Sequence, residues 1–200
     1  MKIAVMDYGV GNLHSISKGL ERAGAPVDVV TNPSDLLRSD CIVFPGVGAF
    51  GAAMSVLTPV LPSLRKKILE EGTPTLGICL GMQILFESSD ESRGQGISAL
   101  KGKVRRFQTD RIPQMGWNEV VWRNDPLFED IAQGSQFYFA NSYICEPEED
   151  VRIAETDYGG LFASAVRKGV LCGVQFHPEK SDVQGLQLLK NFVGIAEGSL

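Results

Sequence analysis

The amino-acid sequence predicts an α/β fold in which a parallel sheet with helices on both faces carries an antiparallel extension. In the first half of the chain, continuous apolar runs are separated by helical segments, which is typical of a parallel sheet buried on both faces. From about residue 97 to residue 175, β-branched and aromatic residues occur in short runs divided by turn residues, which favours antiparallel strands.

The elements follow from these patterns and from their glycine and proline boundaries. The parallel strands are predicted at residues 2–6, 27–30, 41–44 and 75–79. Helices are predicted over 12–23, where Gly24 and Pro26 end the pattern, from 80 to 86, and over 185–196. Later strands are predicted within 119–122, 137–139, 161–166 and 170–176, with a hairpin turn at 167–169.

Composition and charge narrow the class of protein. With 200 residues, 44% of them hydrophobic and 22% charged, we expect one globular domain over residues 1–200. A net charge of −5 argues against binding to nucleic acid, which needs a basic surface. No run approaches the roughly 20 apolar residues of a membrane span, and the N-terminal apolar run meets Asp7 too soon for a signal peptide, so we expect no membrane association.

The cysteines and histidines predict no cofactor. The four cysteines are scattered without a Cys-x-x-Cys pair, so we expect reduced thiols in a cytoplasmic protein rather than disulfides or a zinc site. Two histidines, His14 and His177, are too few for most histidine-based metal sites.

The sharpest local motif is Gly77-Ile78-Cys79-Leu80-Gly81, placed where a predicted strand ends and a helix begins. This is the layout of a nucleophile elbow, with sulfur replacing the hydroxyl of a serine hydrolase. The following helix N-terminus favours the thiolate, which is the reactive form. A buried core cysteine is the competing interpretation of Cys79.

A partner for this thiol follows the last apolar strand. His177 emerges where that strand ends and can exchange protons with a thiol and with a leaving amine. Glu179, two residues further on, can hold the imidazole tautomer and stabilise the imidazolium. A solvated loop is the usual meaning of an isolated His-x-Glu, but here it ends a strand in a chain with a cysteine elbow.

A glycine-rich loop supplies the third part of the predicted site. Gly46, Val47 and Gly48 follow the third strand, where backbone N–H groups can bind an anion. Together with the Leu80 N–H they would form an oxyanion hole, in which one donor is typically worth roughly 3 kcal/mol.

These three motifs together resemble the triad-type, or class I, glutamine amidotransferases. Within that family, the runs Asp7 to Leu13, Pro45 to Phe50 and Met115 to Asn118 are similar to those of the glutaminase subunits of imidazole glycerol phosphate synthase, with Gln114 standing where that branch has histidine. The resemblance covers effectively the whole chain and implies a class I glutamine amidotransferase-like (flavodoxin-like) fold.

The resemblance also implies a reaction. Cys79 would attack the glutamine carboxamide, His177 would move protons, and Glu179 would orient His177. Gln83 and the backbone of Ser142 and Tyr143 would hold the substrate. The ammonia would pass to a (β/α)8-barrel cyclase subunit, which makes imidazole glycerol phosphate and AICAR in histidine biosynthesis.

Because ammonia is mostly protonated in neutral water, its delivery favours a closed path, and we expect the partner to cover the active-site face. The candidates for that interface are Asn12, Met115, Trp117 and Lys180. Core packing is the alternative for Met115 and Trp117, and simple solvation for Lys180. A second hypothesis is that the Gly46–Gly48 loop turns its N–H groups inward only when the partner is liganded.

Three other functions stay open at this point. A stand-alone cysteine hydrolase or peptidase would be active without a partner. An amidotransferase subunit of another synthase, for pyridoxal phosphate or anthranilate, would serve a different acceptor. A non-catalytic scaffold would not need Cys79.

Overall fold

A parallel sheet forms the first half of the molecule, for which the computed structural model describes residues 1–9 and 13–200. Its strands are β1 (Ile3–Met6), β2 (Val27–Val30), β3 (Cys41–Phe44), β4 (Thr75–Ile78) and the late strand β14 (Leu171–Val174). They lie side by side in the order β2-β1-β3-β4-β14, and every neighbouring pair is parallel. The strands β3, β4 and β14 are entirely buried, as their continuous apolar runs require.

Helices cover both faces of this sheet, because successive side chains of a strand point to opposite sides. The helices are α1 (Leu13–Arg22), α2 (Phe50–Leu57), α3 (Leu61–Leu69), α4 (Leu80–Gln83) and α5 (Asp182–Glu197). Ile3 and Val5 of β1 pack in one core with residues of α1 and α5, whereas Ala4 and Met6 pack in the other with residues of α2 and α3. Within residues 1–9 and 13–200, no helix has the length and apolar character to cross a bilayer.

Mostly antiparallel strands extend the sheet beyond β14. These are β5 (Ser88–Ser89), β6 (Ser92–Gln95), β7 (Gly102–Arg106), β9 (Val121–Trp122), β11 (Tyr143–Pro147), β12 (Arg152–Asp157) and β13 (Leu161–Lys168). The order continues β14-β13-β11-β7-β5-β6, with β5 paired in parallel to β7, while β12 pairs with β13 and β9. The hairpin from β13 to β14 turns at Gly169, whose φ of 62° suits the predicted turn. The predicted fold class, a parallel sheet with helices on both faces and an antiparallel extension, is confirmed.

A separate two-stranded sheet lies against the carboxyl end of β14. It pairs β8 (Gln114–Glu119) with β10 (Gln136–Asn141) in antiparallel register. Phe137 and Phe139 of β10 pack into the α1–α5 core, and the Tyr138 carbonyl accepts a 2.8 Å hydrogen bond from the His177 amide. This small sheet therefore reaches the place where the parallel strands end.

Several predicted elements are wrong at their boundaries, among them the last helix, which begins at Asp182 rather than at residue 185. Two of the differences have a clear cause. The helix predicted from 80 to 86 ends at Gln83, because the two amides before Glu87 donate to carbonyls only three residues back and the Glu87 amide donates to the Gly102 carbonyl instead of to the helix. The strand predicted over 119–122 is interrupted at Val120, which is fully buried and donates its N–H to the Ser135 carbonyl.

Gly185 of α5 provides a test of the packing behind the last strand. A Cβ atom added there would lie 1.9 Å from the Pro178 carbonyl oxygen, just after the turn that carries His177. We expect Gly185→Ala to lower the free energy of unfolding by about 1–3 kcal/mol, because a backbone carbonyl cannot move aside. Denaturant unfolding measures the change.

Gly194→Ala in the same helix is the matched control. Its added Cβ would meet the Leu200 side chain at 2.8 Å, near the end of the chain where that side chain can move. Alanine also has the better helix propensity, so we expect a change within about 1 kcal/mol. Equal losses in the two variants would contradict the packing explanation.

Candidate active site

Cys79 lies at a sharp turn between β4 and α4. Its φ of 49° and ψ of −103° place a non-glycine residue in a conformation that L-amino acids rarely adopt. The Cys79 amide is held by the Val174 carbonyl of β14 at 2.7 Å. The strand therefore ends one residue earlier than predicted, at Ile78.

The glycines on either side make this turn possible. A Cβ at Gly77 would lie 2.5 Å from the Gly81 carbonyl, and a Cβ at Gly81 would lie 1.9 Å from the Phe44 carbonyl oxygen. Both distances are far below any real Cβ contact, so neither position admits another side chain without a backbone shift. The Gly-x-Cys-x-Gly spacing thus has a steric cause in the packing of α4 on β3 and β4.

His177 and Glu179 form a buried pair beside the elbow. His177 is 1% exposed, and its Nδ1 lies 2.8 Å from Glu179 Oε1. The side chain of Glu179 is 9% exposed, and its other oxygen has no hydrogen-bond partner among the described residues. Because Nδ1 is paired with Glu179, the other ring nitrogen, Nε2, is available to interact with the Cys79 thiol.

Gly46 marks how closely the loop, the thiol and the imidazole approach one another. A Cβ atom at Gly46 would lie 3.0 Å from Cys79 Cβ and 3.0 Å from His177 Cε1. The three motifs predicted from separate parts of the sequence are therefore neighbours in space. Any residue larger than glycine at position 46 would push the loop away from Cys79 and His177.

The charges of the site favour an imidazolium. Burial lowers the pKa of His177, but hydrogen bonds to the side chains of Cys79 and Glu179, and their charges, raise it to about 10. Burial makes the other three cysteines unreactive. It raises the pKa of Cys41 to about 12 and also raises the pKa of Cys145 and Cys172, which keeps these thiols protonated.

Ser181 anchors the histidine turn and was not found from the sequence. It is fully buried, and its hydroxyl donates to the His177 carbonyl at 2.6 Å. The same hydroxyl accepts a 3.0 Å hydrogen bond from the Tyr138 amide of β10. The backbone of β10 thus holds the His177 turn through both the Tyr138 carbonyl and this serine.

The glycine-rich loop leads from β3 into α2. Gly48 has a φ of 117°, which a residue with a side chain would adopt only under strain. The first amide of α2, at Phe50, donates a 2.6 Å hydrogen bond to Glu91 of the β5–β6 turn. Glu91 was also missed from the sequence, and it fixes the end of the loop by capping α2. Leu80 begins α4, so its N–H is one of the first-turn amides that a helix leaves unpaired internally.

The predicted substrate residues meet on the side of β11. Gln83 is 5% exposed, and its Nε2 donates to the Tyr143 carbonyl at 3.2 Å. Asn141 donates to the same carbonyl at 3.1 Å. The Ser142 carbonyl accepts from the Phe107 amide at 2.9 Å, so the carbonyls of this segment are already used within the protein.

Three of the four predicted interface residues lie in the described part of the chain and are exposed. Met115 is 65% exposed and Trp117 is 43% exposed, so core packing is excluded for both within this chain. The Trp117 ring contacts the Tyr138 ring edge-on at 6.1 Å, and Lys180 Nζ lies 5.5 Å from the centre of the same ring. Asn12 lies outside the described residues. Gln114 faces inward and is fully buried.

The comparisons with known proteins identify the family of the chain. The model of the class I glutamine amidotransferase family matches residues 4–195, and the chain belongs to that family. A glutamine amidotransferase from Thermotoga maritima has the same fold, with a TM-score of 0.73 at 16% sequence identity over 98% of each chain.

The chain is also similar over nearly its whole length to relatives from one branch of this family. Imidazole glycerol phosphate synthase subunit HisH from Methanosarcina mazei is 44% identical in an alignment of 198 residues that covers 96% of this chain and 98% of that protein. The subunit of the same name from Methanocaldococcus jannaschii is 45% identical over 194 residues, with the same shares of each chain.

The raised pKa of His177 predicts a pH dependence of stability. The pKa is about 10 in the folded state against an ordinary 6.5, so the folded state binds this proton more tightly. The resulting stabilisation is complete below about pH 6.5 and is lost as the pH rises toward 10. We expect the free energy of unfolding to fall over this range more steeply in the wild type than in His177→Gln.

Denaturant titrations at a series of pH values measure the two curves. Cys79→Ala removes one of the two partners that raise the pKa, so its curve should lie between the other two. Parallel curves for the wild type and His177→Gln would show that His177 carries no such linkage.

Proposed function

We propose that this chain is the glutaminase subunit of an imidazole glycerol phosphate synthase and hydrolyses glutamine through Cys79. The observation that carries the proposal is the meeting of a strained cysteine elbow with a buried His177–Glu179 pair, in a chain of the class I glutamine amidotransferase family. The similarity to synthase subunits over nearly the whole chain supports the particular synthase.

The proposed reaction has two halves. The Cys79 sulfur attacks the carboxamide carbon, and the C–N bond breaks as His177 gives a proton to the leaving ammonia. Water then attacks the thioester after giving its proton to His177, and the C–S bond breaks to release glutamate. Glu179 holds the imidazole at 2.8 Å and stabilises its protonated form in both halves.

The oxyanion of each tetrahedral intermediate needs backbone donors. We assign these to the N–H of Leu80 and to the loop Gly46-Val47-Gly48. The unusual φ of Gly48 supports a loop whose peptide groups can turn when the partner is liganded. Gln83 and the Ser142-Tyr143 backbone are assigned to the rest of the substrate.

The partner we propose is a (β/α)8-barrel cyclase subunit in a heterodimer. The relatives are named as subunits of a synthase, which supports a partner chain. Met115, Trp117, Lys180 and the unplaced Asn12 are its proposed contacts, because an exposed aromatic residue beside a buried site suits an interface anchor. Ammonia would pass through this covered face before water protonates it. The cytoplasm is the proposed location, supported by four free thiols.

Glutamate release from glutamine is the direct test. We expect the purified chain to be slow alone and fast with the barrel subunit and its nucleotide ligand. Cys79→Ala should reduce the rate at least about 10³-fold, because the nucleophile is lost. Cys172→Ala, which removes a buried thiol of β14, is the matched control and should retain the rate. Full activity without a partner would instead indicate a stand-alone hydrolase.

Trp117→Ala tests the proposed interface. We expect it to weaken binding of the barrel subunit by about 2 kcal/mol, or roughly 30-fold in Kd, as for a buried aromatic anchor. Leu69→Ala is the control, because Leu69 is similarly exposed but ends α3 at the opposite edge of the sheet. Calorimetric titration of the two subunits measures both. Unchanged affinity in Trp117→Ala would remove Trp117 from the interface.

A further inference from the structure

Gln175 is a buried amide whose nitrogen points at the nucleophile. It is 0% exposed and lies two residues before His177, directly after β14. Its Nε2 lies 3.4 Å from Cys79 Sγ, within hydrogen-bonding distance of sulfur. The mechanism described above does not use this contact.

The neighbouring residues decide which way the Gln175 amide faces. Gln83 Nε2 lies 3.3 Å from Gln175 Oε1, so an oxygen at that place accepts a hydrogen bond. The orientation of Gln83 is set in turn, because its nitrogen also lies 3.2 Å from the Tyr143 carbonyl, which can only accept. Turning the Gln175 amide over would bring two N–H groups together and place an oxygen against the sulfur. The chain of contacts therefore fixes the N–H of Gln175 on Cys79.

An amide in this position has a definite chemical effect. An N–H donor stabilises a thiolate more than a thiol, because hydrogen bonds to charged groups are the stronger ones. Cys79 is 5% exposed, so little water is present to solvate a negative sulfur. The Ala140 carbonyl, 3.9 Å from the sulfur, can only accept and gives the thiolate no help.

We propose that Gln175 is a hydrogen-bond donor to the Cys79 thiolate, held in register by Gln83, and that it works with His177 to keep the nucleophile ionised. His177 supplies the balancing charge, and Gln175 supplies a neutral donor that persists when the imidazole gives up its proton. Gln83 then has two tasks, since the residue assigned to the substrate also orients this donor. The catalytic meaning rests on the proposed function, whereas the effect on the Cys79 sulfur does not.

Alkylation by iodoacetamide tests this without glutamine or a partner. The reagent transfers its carbamoylmethyl group to the Cys79 sulfur and releases iodide, and peptide mass analysis reports the rate at that cysteine alone. For Gln175→Met, which keeps the length but cannot donate, we expect the pH of half-maximal alkylation to rise by about one to two units. For Gln175→Leu, which also lacks a donor, we expect a rise of the same size.

Gln114→Met is the matched control. Gln114 is equally buried, but neither of its amide atoms has a hydrogen-bond partner among the described residues. The same substitution there should leave the alkylation profile of Cys79 in place. Thermal unfolding shows which variants fold. If Gln175→Met does not fold, Gln175→Leu provides the test.

The outcomes separate the two proposals. An unchanged profile in a folded Gln175 variant, or an equal shift in Gln114→Met, would overturn the role of Gln175. A shifted profile in the Gln175 variants, combined with a wild-type chain that releases no glutamate under any condition, would keep the donor and reject the glutaminase.

Discussion

The site depends on one steric constraint, the absence of side chains where three backbone segments meet. Gly81 lies against the Phe44 carbonyl, and Gly46 lies against both Cys79 and His177. Because interiors pack without spare volume, these contacts leave the segments little freedom to shift relative to one another. The strained φ of Cys79 persists for the same reason, since relaxing it would drive α4 into β3. Close backbone contact therefore preorganises the site together with the hydrogen bonds that hold the His177 turn.

The sequence predicts the parallel half of the fold well, and the reason is local. The strands at 27–30 and 41–44 have the predicted bounds, because apolar runs between turn residues specify both ends. The helix after Cys79 is predicted too long because its end depends on a segment more than ten residues away, where the Gly102 carbonyl accepts the Glu87 amide. No helix-stop residue marks that point.

The same difference between local sequence signals and contacts of distant residues applies to the candidate active site. Cys79, His177, Glu179 and the loop were predicted because each lies in a compact motif at a strand end. Ser181, Glu91 and Gln175 were not, because their meaning lies in contacts across 43, 41 and 96 residues. A serine, a glutamate and a glutamine have many ordinary uses on a protein, and only the folded chain shows which atoms they face.

The way β10 holds the His177 turn has a consequence for how the exposed surface around Tyr138 can change during evolution. Tyr138 contributes its peptide group to His177 and Ser181, but its ring to the exposed cluster with Trp117 and Lys180. Any amino acid other than proline supplies the same peptide group. If this exposed face binds the partner as proposed, substitutions on it can change which partner surface the chain binds, while the main-chain anchor of the histidine is inherited intact. Under that proposal, partner binding and catalysis share one strand yet use different parts of each residue, so they can diverge at different rates.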